Sequence, residues 1–432
     1  MILRRLYSIP RFGLPYTAAD FAAGLRALVR DAPQPDAFGL LGESPKFWTR
    51  SGRQALRLLL GALELKPGSG VALPLFTDPS LVSAIIAAGH RPVFIDIQER
   101  TLTMDPASLE AANDSFSAVV AVHLFGQLAD MPLLLDVART APVIEDAAHA
   151  PLSYLHGQMA GRFGPAAFYS FASTKYWPAG GGGLAVVHNR DLACKMATLV
   201  QKLSPPSVMQ EFGSVLLQQA KSAVFSRRLY GVFGKPMRRW AEDWALLEPR
   251  QDLKSIQRPH ATVACRQTSR FPHRVQLQRA NSLRLLSHLG SVDDVVLPRE
   301  RWGSQYNYHM FPVLLRDRRE REAVAASMWK RFVDTSTIYC GVVDECWELG
   351  YRGGCPVAES VAGRLLTLPN HAALKGSDVD MVAEVFLSSL EAYRNAGPTY
   401  PVLSFGIRST AGKRETPAPL PSRLRSLAEP PQ

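Results

Sequence analysis

Cysteine is scarce in this chain, and its spacing is uninformative as a ligand or bridge pattern. Five cysteines occur in 432 residues, Cys194, Cys265, Cys340, Cys346 and Cys355, an odd number with no CxxC pair. That argues against a disulfide framework and against a zinc site, and it suits a reducing compartment. Long apolar runs are also missing: no stretch reaches the roughly 18 uninterrupted apolar residues of a membrane-spanning helix. The opening MILRRLYSIPRFGLPYTAADF is basic but lacks the apolar segment and small-residue cleavage site of a secretory leader. A cytoplasmic location is therefore expected. The chain has no GxGxxG or GK[ST] loop in the right setting, no internal repeat, and no helix-turn-helix, zinc-finger or RNA-binding signature, so no nucleic-acid partner is expected.

What is present reads as a large globular protein. A hydrophobic share of 47% beside 20% charged residues is ordinary for a folded chain, and the length exceeds one average domain. The formal charge of +11 is spread out, except in 226–239 and in the tail beyond Arg408. It reads as solubility plus some attraction to anionic ligands.

The chemistry concentrates in 143–187, VIEDAAHAPLSYLHGQMAGRFGPAAFYSFASTKYWPAGGGGLAVV. An acidic residue follows an apolar run, then come a Ser and a Lys five apart, then a glycine run. This is the layout of a pyridoxal phosphate pocket. That cofactor needs a lysine to bond its aldehyde, a carboxylate to keep its pyridine nitrogen protonated, and small or hydroxyl residues about its phosphate. Lys175, Asp146 and Ser170 supply those roles in turn. A lysine that works near neutrality needs its pKa lowered by burial or a neighbouring cation. Ser170 suits a phosphate donor assisted by backbone amides at a helix start. The run Gly180 to Gly183 reads as a tight turn into the strand LAVVHN rather than as a nucleotide loop. His123 in VHLFG is as compatible with a structural role as with a functional one, and His309 and His371 read as positions of a second domain.

From Phe47 to about Val263, helical segments alternate with short β-branched runs, as a parallel sheet covered on both faces requires. GRQALRLLLGALEL reads as a helix opened by Ser51 and Gly52; VALPLF, HRPVFIDI, AVVAVHLF, APVIEDA, AAFYSF and GLAVVHN read as strands. Ligand contacts gather at strand ends in such sheets, so Ser51, Asp146 and Lys175 are expected to meet along one rim. Residues 1–269 form the expected large cofactor-binding domain. Within it 206–258 is an amphipathic, basic insertion that suits a lid or subunit interface, with 226–239 a candidate for peripheral membrane contact. Residues 270–396 read as a smaller α+β domain, and the Pro-, Ser- and Arg-rich tail 397–432 as disordered and dispensable for catalysis.

Taken together, several stretches resemble the DegT-type nucleotide-sugar aminotransferases, a pyridoxal phosphate-dependent branch of the aspartate-aminotransferase-like fold. The resemblance covers about residues 45 to 395, through TRSGRQALRLLLGALELKPGSGVALP, GHRPVFIDIQERTLTMDPASLEAA with Asp96 at a strand end, VHLFGQLADM, IEDAAHA, GRFGPAAFYSFASTK, GGGGLAVV and RLLTLPNHAAL. It implies an α/β large domain with a mainly parallel sheet flanked by helices, plus a smaller α+β C-terminal domain. By resemblance Lys175 bonds the cofactor, Asp146 pairs with its ring nitrogen, and Ser170 contacts its phosphate. His149 stands where the family usually has Gln beside the phenolic oxygen. Gly52 and Arg53 replace a Gly-Thr pair at the phosphate, keeping its amides but not its hydroxyl. Phe76, or Asp78 in an alternative alignment, occupies the position of a residue stacked on the cofactor ring. The family's intersubunit element is not recognisable in VACRQTSRFPHRVQ.

The resemblance further implies a homodimer that takes an amino group from an amino-acid donor, glutamate, to a keto sugar nucleotide in polysaccharide or other glycan biosynthesis. Relatives that dehydrate a deoxysugar replace the lysine with histidine, so Lys175 argues for transfer. A second reading is an idle cofactor-binding homologue that serves as a scaffold or regulator in a polysaccharide pathway.

Overall fold

The computed structural model describes residues 8–226, 229–231, 254–290 and 292–396. Most of the basic segment 226–239 and all of the tail 397–432 lie outside the described residues. Among the described residues no helix is long and apolar enough to cross a membrane.

A seven-stranded sheet organises the part of the chain between Lys46 and Val187. In chain order its strands are β1 (Lys46–Thr49), β2 (Gly70–Pro74), β3 (Arg91–Ile95), β4 (Ala118–Val122) and β5 (Val143–Asp146). After the short pair β6 (Tyr154–Leu155) and β7 (Gln158–Met159) come β8 (Ala166–Ser170) and β9 (Gly183–Val187). The spatial order is β1-β9-β8-β5-β4-β2-β3, and β3, β2, β4, β5 and β8 run parallel. The expectation of a mainly parallel sheet is met, with one refinement: β9 returns antiparallel to β8, and β1, which no alternation announces, lies antiparallel on β9. The central strands are buried throughout, which explains why they read as unbroken apolar runs.

Helices α1 (Ala18–Arg26), α2 (Gly52–Ala62), α3 (Pro79–Ala87), α4 (Pro106–Ala111), α5 (Met131–Ala138), α6 (Arg190–Gln201), α7 (Val208–Val224) and α8 (Arg258–Gln267) belong to this half. Their starts are legible in side chains: Ser51, Asp78, Asp105, Asp130 and Asn189 each accept a backbone N–H from the first turn of their helix.

The C-terminal part contains α9 (Phe271–Leu289), β10 (Ser304–Gln305), β11 (Phe311–Leu314), α10 (Arg318–Lys330), α11 (Val342–Glu348), α12 (Pro356–Arg364), β12 (Leu365–Leu368) and α13 (Gly376–Ala396). Strands β11 and β12 pair antiparallel. Phe311, Val313, Val324, Leu366 and Phe386 build a second core, and Ile9 from the start of the chain joins it, bridged to Val333. In the opposite sense, Tyr339, Val342, Cys346 and Leu365 pack into the core of the large sheet. The two parts are thus stitched together from both ends. A Gly- and Cys-rich stretch that looks like loop holds α11 and α12 because Asp96, at the end of β3, caps α12: its carboxylate accepts the N–H groups of Val357 at 3.0 Å and Ala358 at 2.8 Å.

Candidate active site

The rim formed by the ends of β2, β4, β5 and β8 carries the candidate chemistry. Its rigidity begins behind it. His123 Nδ1 accepts the Ala129 N–H at 3.1 Å, so the ring proton is on Nε2, which donates to Glu145 at 3.0 Å. The same carboxylate accepts N–H groups from Gly161, Phe163 and Gly164 at 2.7 to 2.8 Å. Both side chains are fully buried and fully used inside the fold. His123 is therefore a brace. It pins β4 to β5 and fixes the register in which Asp146, the next residue, faces the rim.

Asp146 is buried and accepts the Ala148 N–H at 2.9 Å. Burial pushes its carboxyl up to about 6, against the pull of that N–H. Lys175 is half-buried on the loop after β8. Burial lowers its amine pKa, opposed by Asp78 and Asp146. Its Nζ lies 2.5 Å from His149 Nε2. Burial above all holds both His149 and His309 well below the usual imidazole range. Lys175, Asp146 and His149 are thus brought together, with His309 a close fourth: its ring centroid is 4.4 Å from that of His149.

A second group of expected residues meets at the start of α2. Ser51 caps this helix through its side chain, Gly52 and Arg53 form its first turn, and Ser170 ends the neighbouring strand. A Cβ on Gly52 would come 3.3 Å from the Ser170 Cβ, so these two residues share one wall. The glycine run explains itself here. A Cβ at Gly183 would lie 2.5 Å from the Ser51 carbonyl carbon and 2.7 Å from the Gly52 nitrogen, and Gly182 bridges to Ser51. Gly180 and Gly182 also have φ of +96° and +97°, where side chains are strained. The run is the seat on which the helix start rests.

Phe76 is fully buried in the core, its ring centroid 5.8 Å from that of Tyr339. Asp78, the alternative, caps α3 and lies close enough to act electrostatically on Asp146, Lys175 and Tyr339. The ring lying alongside His149 is Phe125, 6.3 Å away and tilted by 28°. Phe125 and Tyr339 were not singled out from the sequence. Phe125 sits two residues beyond His123 in a motif already noticed, whereas Tyr339 comes from the C-terminal part and carries no local signal.

These residues fit pyridoxal phosphate. A carboxylate and a lysine face each other electrically across the rim, and a hydroxyl stands beside a helix N-terminus where a Cβ would obstruct approach. Helix N-termini attract phosphate through their free N–H groups. Next to Lys175 opens a cavity of about 320 Å³, bounded by Tyr176, His309, Arg274, Gln278, Arg11 and Phe12 among others.

The model of the DegT/DnrJ/EryC1/StrS aminotransferase family matches residues 41–387. A UDP-N-acetyl-3-dehydro-alpha-D-glucosamine 3-aminotransferase from Acidithiobacillus ferrooxidans is 27% identical over 368 residues, covering 83% of this chain and 88% of that protein. A dTDP-4-dehydro-2,3,6-trideoxy-D-glucose 4-aminotransferase from Saccharopolyspora spinosa is 28% identical over 359 residues, or 81% and 86% of the two chains. The solved structure of a Streptococcus pneumoniae protein described as a sugar aminotransferase, in its PLP form, superimposes with a TM-score of 0.72 over 89% of this chain and 99% of that one; at 20% identity it attests the shared fold. With the family match extending from ahead of β1 into α13, the chain belongs to the DegT/DnrJ/EryC1/StrS aminotransferases and is a pyridoxal phosphate-dependent enzyme of that family.

Proposed function

We propose that the enzyme moves an amino group from an amino-acid donor, glutamate, to the keto group of a sugar nucleotide, in the assembly of a polysaccharide or another glycan. The observation that carries this reading is the half-buried Lys175 amine, set between the Asp146 rim and an open cavity. Nucleotide-sugar substrates are supported by the two relatives, both named for such reactions. When bound, pyridoxal phosphate supplies an electron sink for the carbon that gains or loses a proton. Asp146 would pair with the cofactor's ring nitrogen and keep that nitrogen protonated. Ser170 and the amides of Gly52 and Arg53 would hold its phosphate. Lys175 moves the proton at the reacting carbon, a role worth on the order of 10² to 10⁴ in rate.

The idle-homologue reading is not favoured. Three features motivate it, the altered phosphate loop, the unrecognisable intersubunit element and the basic insertion; at the first of these, Gly52 and Ser170 still form a common wall and the amides of Gly52 and Arg53 do not depend on a side chain. The test is the visible spectrum of the purified enzyme before and after glutamate. A band that glutamate bleaches and that Lys175→Ala lacks supports the proposal. A cofactor band unmoved by glutamate and by every other amino donor refutes it.

We also propose a cytoplasmic homodimer. Support for the pairing comes from α7, where Val208, Met209, Phe212, Leu216 and Leu217 are exposed, Met209 to 78%, at spacings that place them along one side of the helix.

A further inference from the structure

A hydrogen bond on the far side of His149 constrains where the protons around Lys175 sit. The Phe125 N–H points at His149 Nδ1 from 3.3 Å, so Nδ1 presents its lone pair. A neutral imidazole has a single N–H, which is then on Nε2. That nitrogen is 2.5 Å from Lys175 Nζ. Two donors cannot share one hydrogen bond, so the amine is the acceptor; an ammonium has no lone pair with which to accept.

We propose that His149 is a positioning residue that holds Lys175 as a neutral amine in the cofactor-free protein, ready to capture an aldehyde. In that capture the amine lone pair bonds the carbonyl carbon, and the oxygen leaves as water with both amine protons. An ammonium would first have to lose a proton. The inference rests on the reading of Lys175 as the cofactor lysine.

The surroundings hold His149 in this state from two sides. Phe125 has φ of +58°, a left-handed conformation that is costly without glycine, and it brings both its N–H and its ring to the imidazole. On the other side stands His309, whose Nε2 is buried with no hydrogen-bond partner among the described residues. Around Lys175 the charges divide. Asp78 and Asp146 favour the ammonium; burial favours the amine, and an imidazole proton aimed at Nζ does the same. Tyr339, which faces Asp78 and Asp146, stays neutral, and the Tyr176 hydroxyl is engaged by the Asn307 carbonyl at 2.5 Å.

The test compares cofactor-free wild type with His149→Gln. A glutamine can turn its carbonyl oxygen towards an ammonium, which an imidazole fixed by Phe125 cannot do. The pH at which Lys175 becomes half-reactive towards acetic anhydride, read by mass spectrometry of the Lys175 peptide, is expected to rise by about one unit, tenfold in proton affinity. In parallel, nitrogen-15 spectra of ring-labelled cofactor-free protein are expected to show the His149 proton on Nε2. An unmoved or lowered midpoint in the glutamine variant, or a proton on Nδ1, overturns the proposal. Neither measurement involves donor, sugar or cofactor, so its failure leaves the transaminase reading standing, and failure of that reading appears instead in the glutamate spectrum.

Discussion

At the scale of single residues, Asp146 links the working site to stability. In the cofactor-free protein burial raises its carboxyl from 3.8 to about 6. Between those values the folded chain holds a proton that the unfolded chain has released, so stability falls as pH rises through this window, by up to ~3 kcal/mol. Asp146→Asn removes that penalty. The expected outcome is a cofactor-free variant that melts higher than wild type at pH 8 and level with it near pH 4; parallel melting curves across the range would contradict the argument. Lys175→Ala is expected to lose at least about 10² in turnover while still folding, since a side chain that is only half-buried contributes little packing. The candidate residues legible from sequence, Asp146, Ser170 and Lys175, share one short stretch in which two adjacent parallel strands end. Phe125, Tyr339 and the charge of Asp78 were harder to read, because their bearing on the site comes from packing between elements far apart in sequence.

Between elements, two contacts hold the site in place. Gly183 lets the start of α2 rest on β9 with no side chain between them, and Gly183→Ala would press a methyl against the Ser51 and Gly52 backbone. Relief requires the helix start to move. We expect a loss of about 1 to 3 kcal/mol in denaturant unfolding and a weaker hold on inorganic phosphate and on the cofactor, measured by titration. Asp96 is the second contact. It caps α12 in place of Cys355, whose side chain makes no cap, so Asp96→Ala should cost about 2 kcal/mol, with the unfolding midpoint as readout. Wild-type stability in that variant would show that solvent satisfies the helix start equally well. The parallel strands were readable from their apolar runs and the helix starts from their Ser and Asp caps. The antiparallel β9 and β1 were not, since a buried strand has the same composition in either direction.

For the molecule as a whole, the α7 stripe gives the dimer proposal its test. Phe212→Glu combined with Leu216→Glu is expected to turn a dimer into a monomer in sedimentation, because stable pairing buries on the order of 1,200 to 2,000 Å² and tolerates no charge at its centre. A monomeric wild type, or a variant that stays dimeric, would remove this surface from consideration. The order of elements gave no sign that the first residues join the core built by the C-terminal elements. Ile9 bridges to Val333, and the Pro10 carbonyl meets His371 Nε2 at 3.2 Å across 361 positions of chain. That closure has a consequence in time. During synthesis the sheet with Lys175 emerges long before Val333 and His371, so the first residues wait without their partners while most of the enzyme is made. The wall of the cavity that they form is therefore among the last parts to assemble, and a nascent chain carries its reactive lysine through the 196 positions from Lys175 to His371 before it has a finished chamber around it.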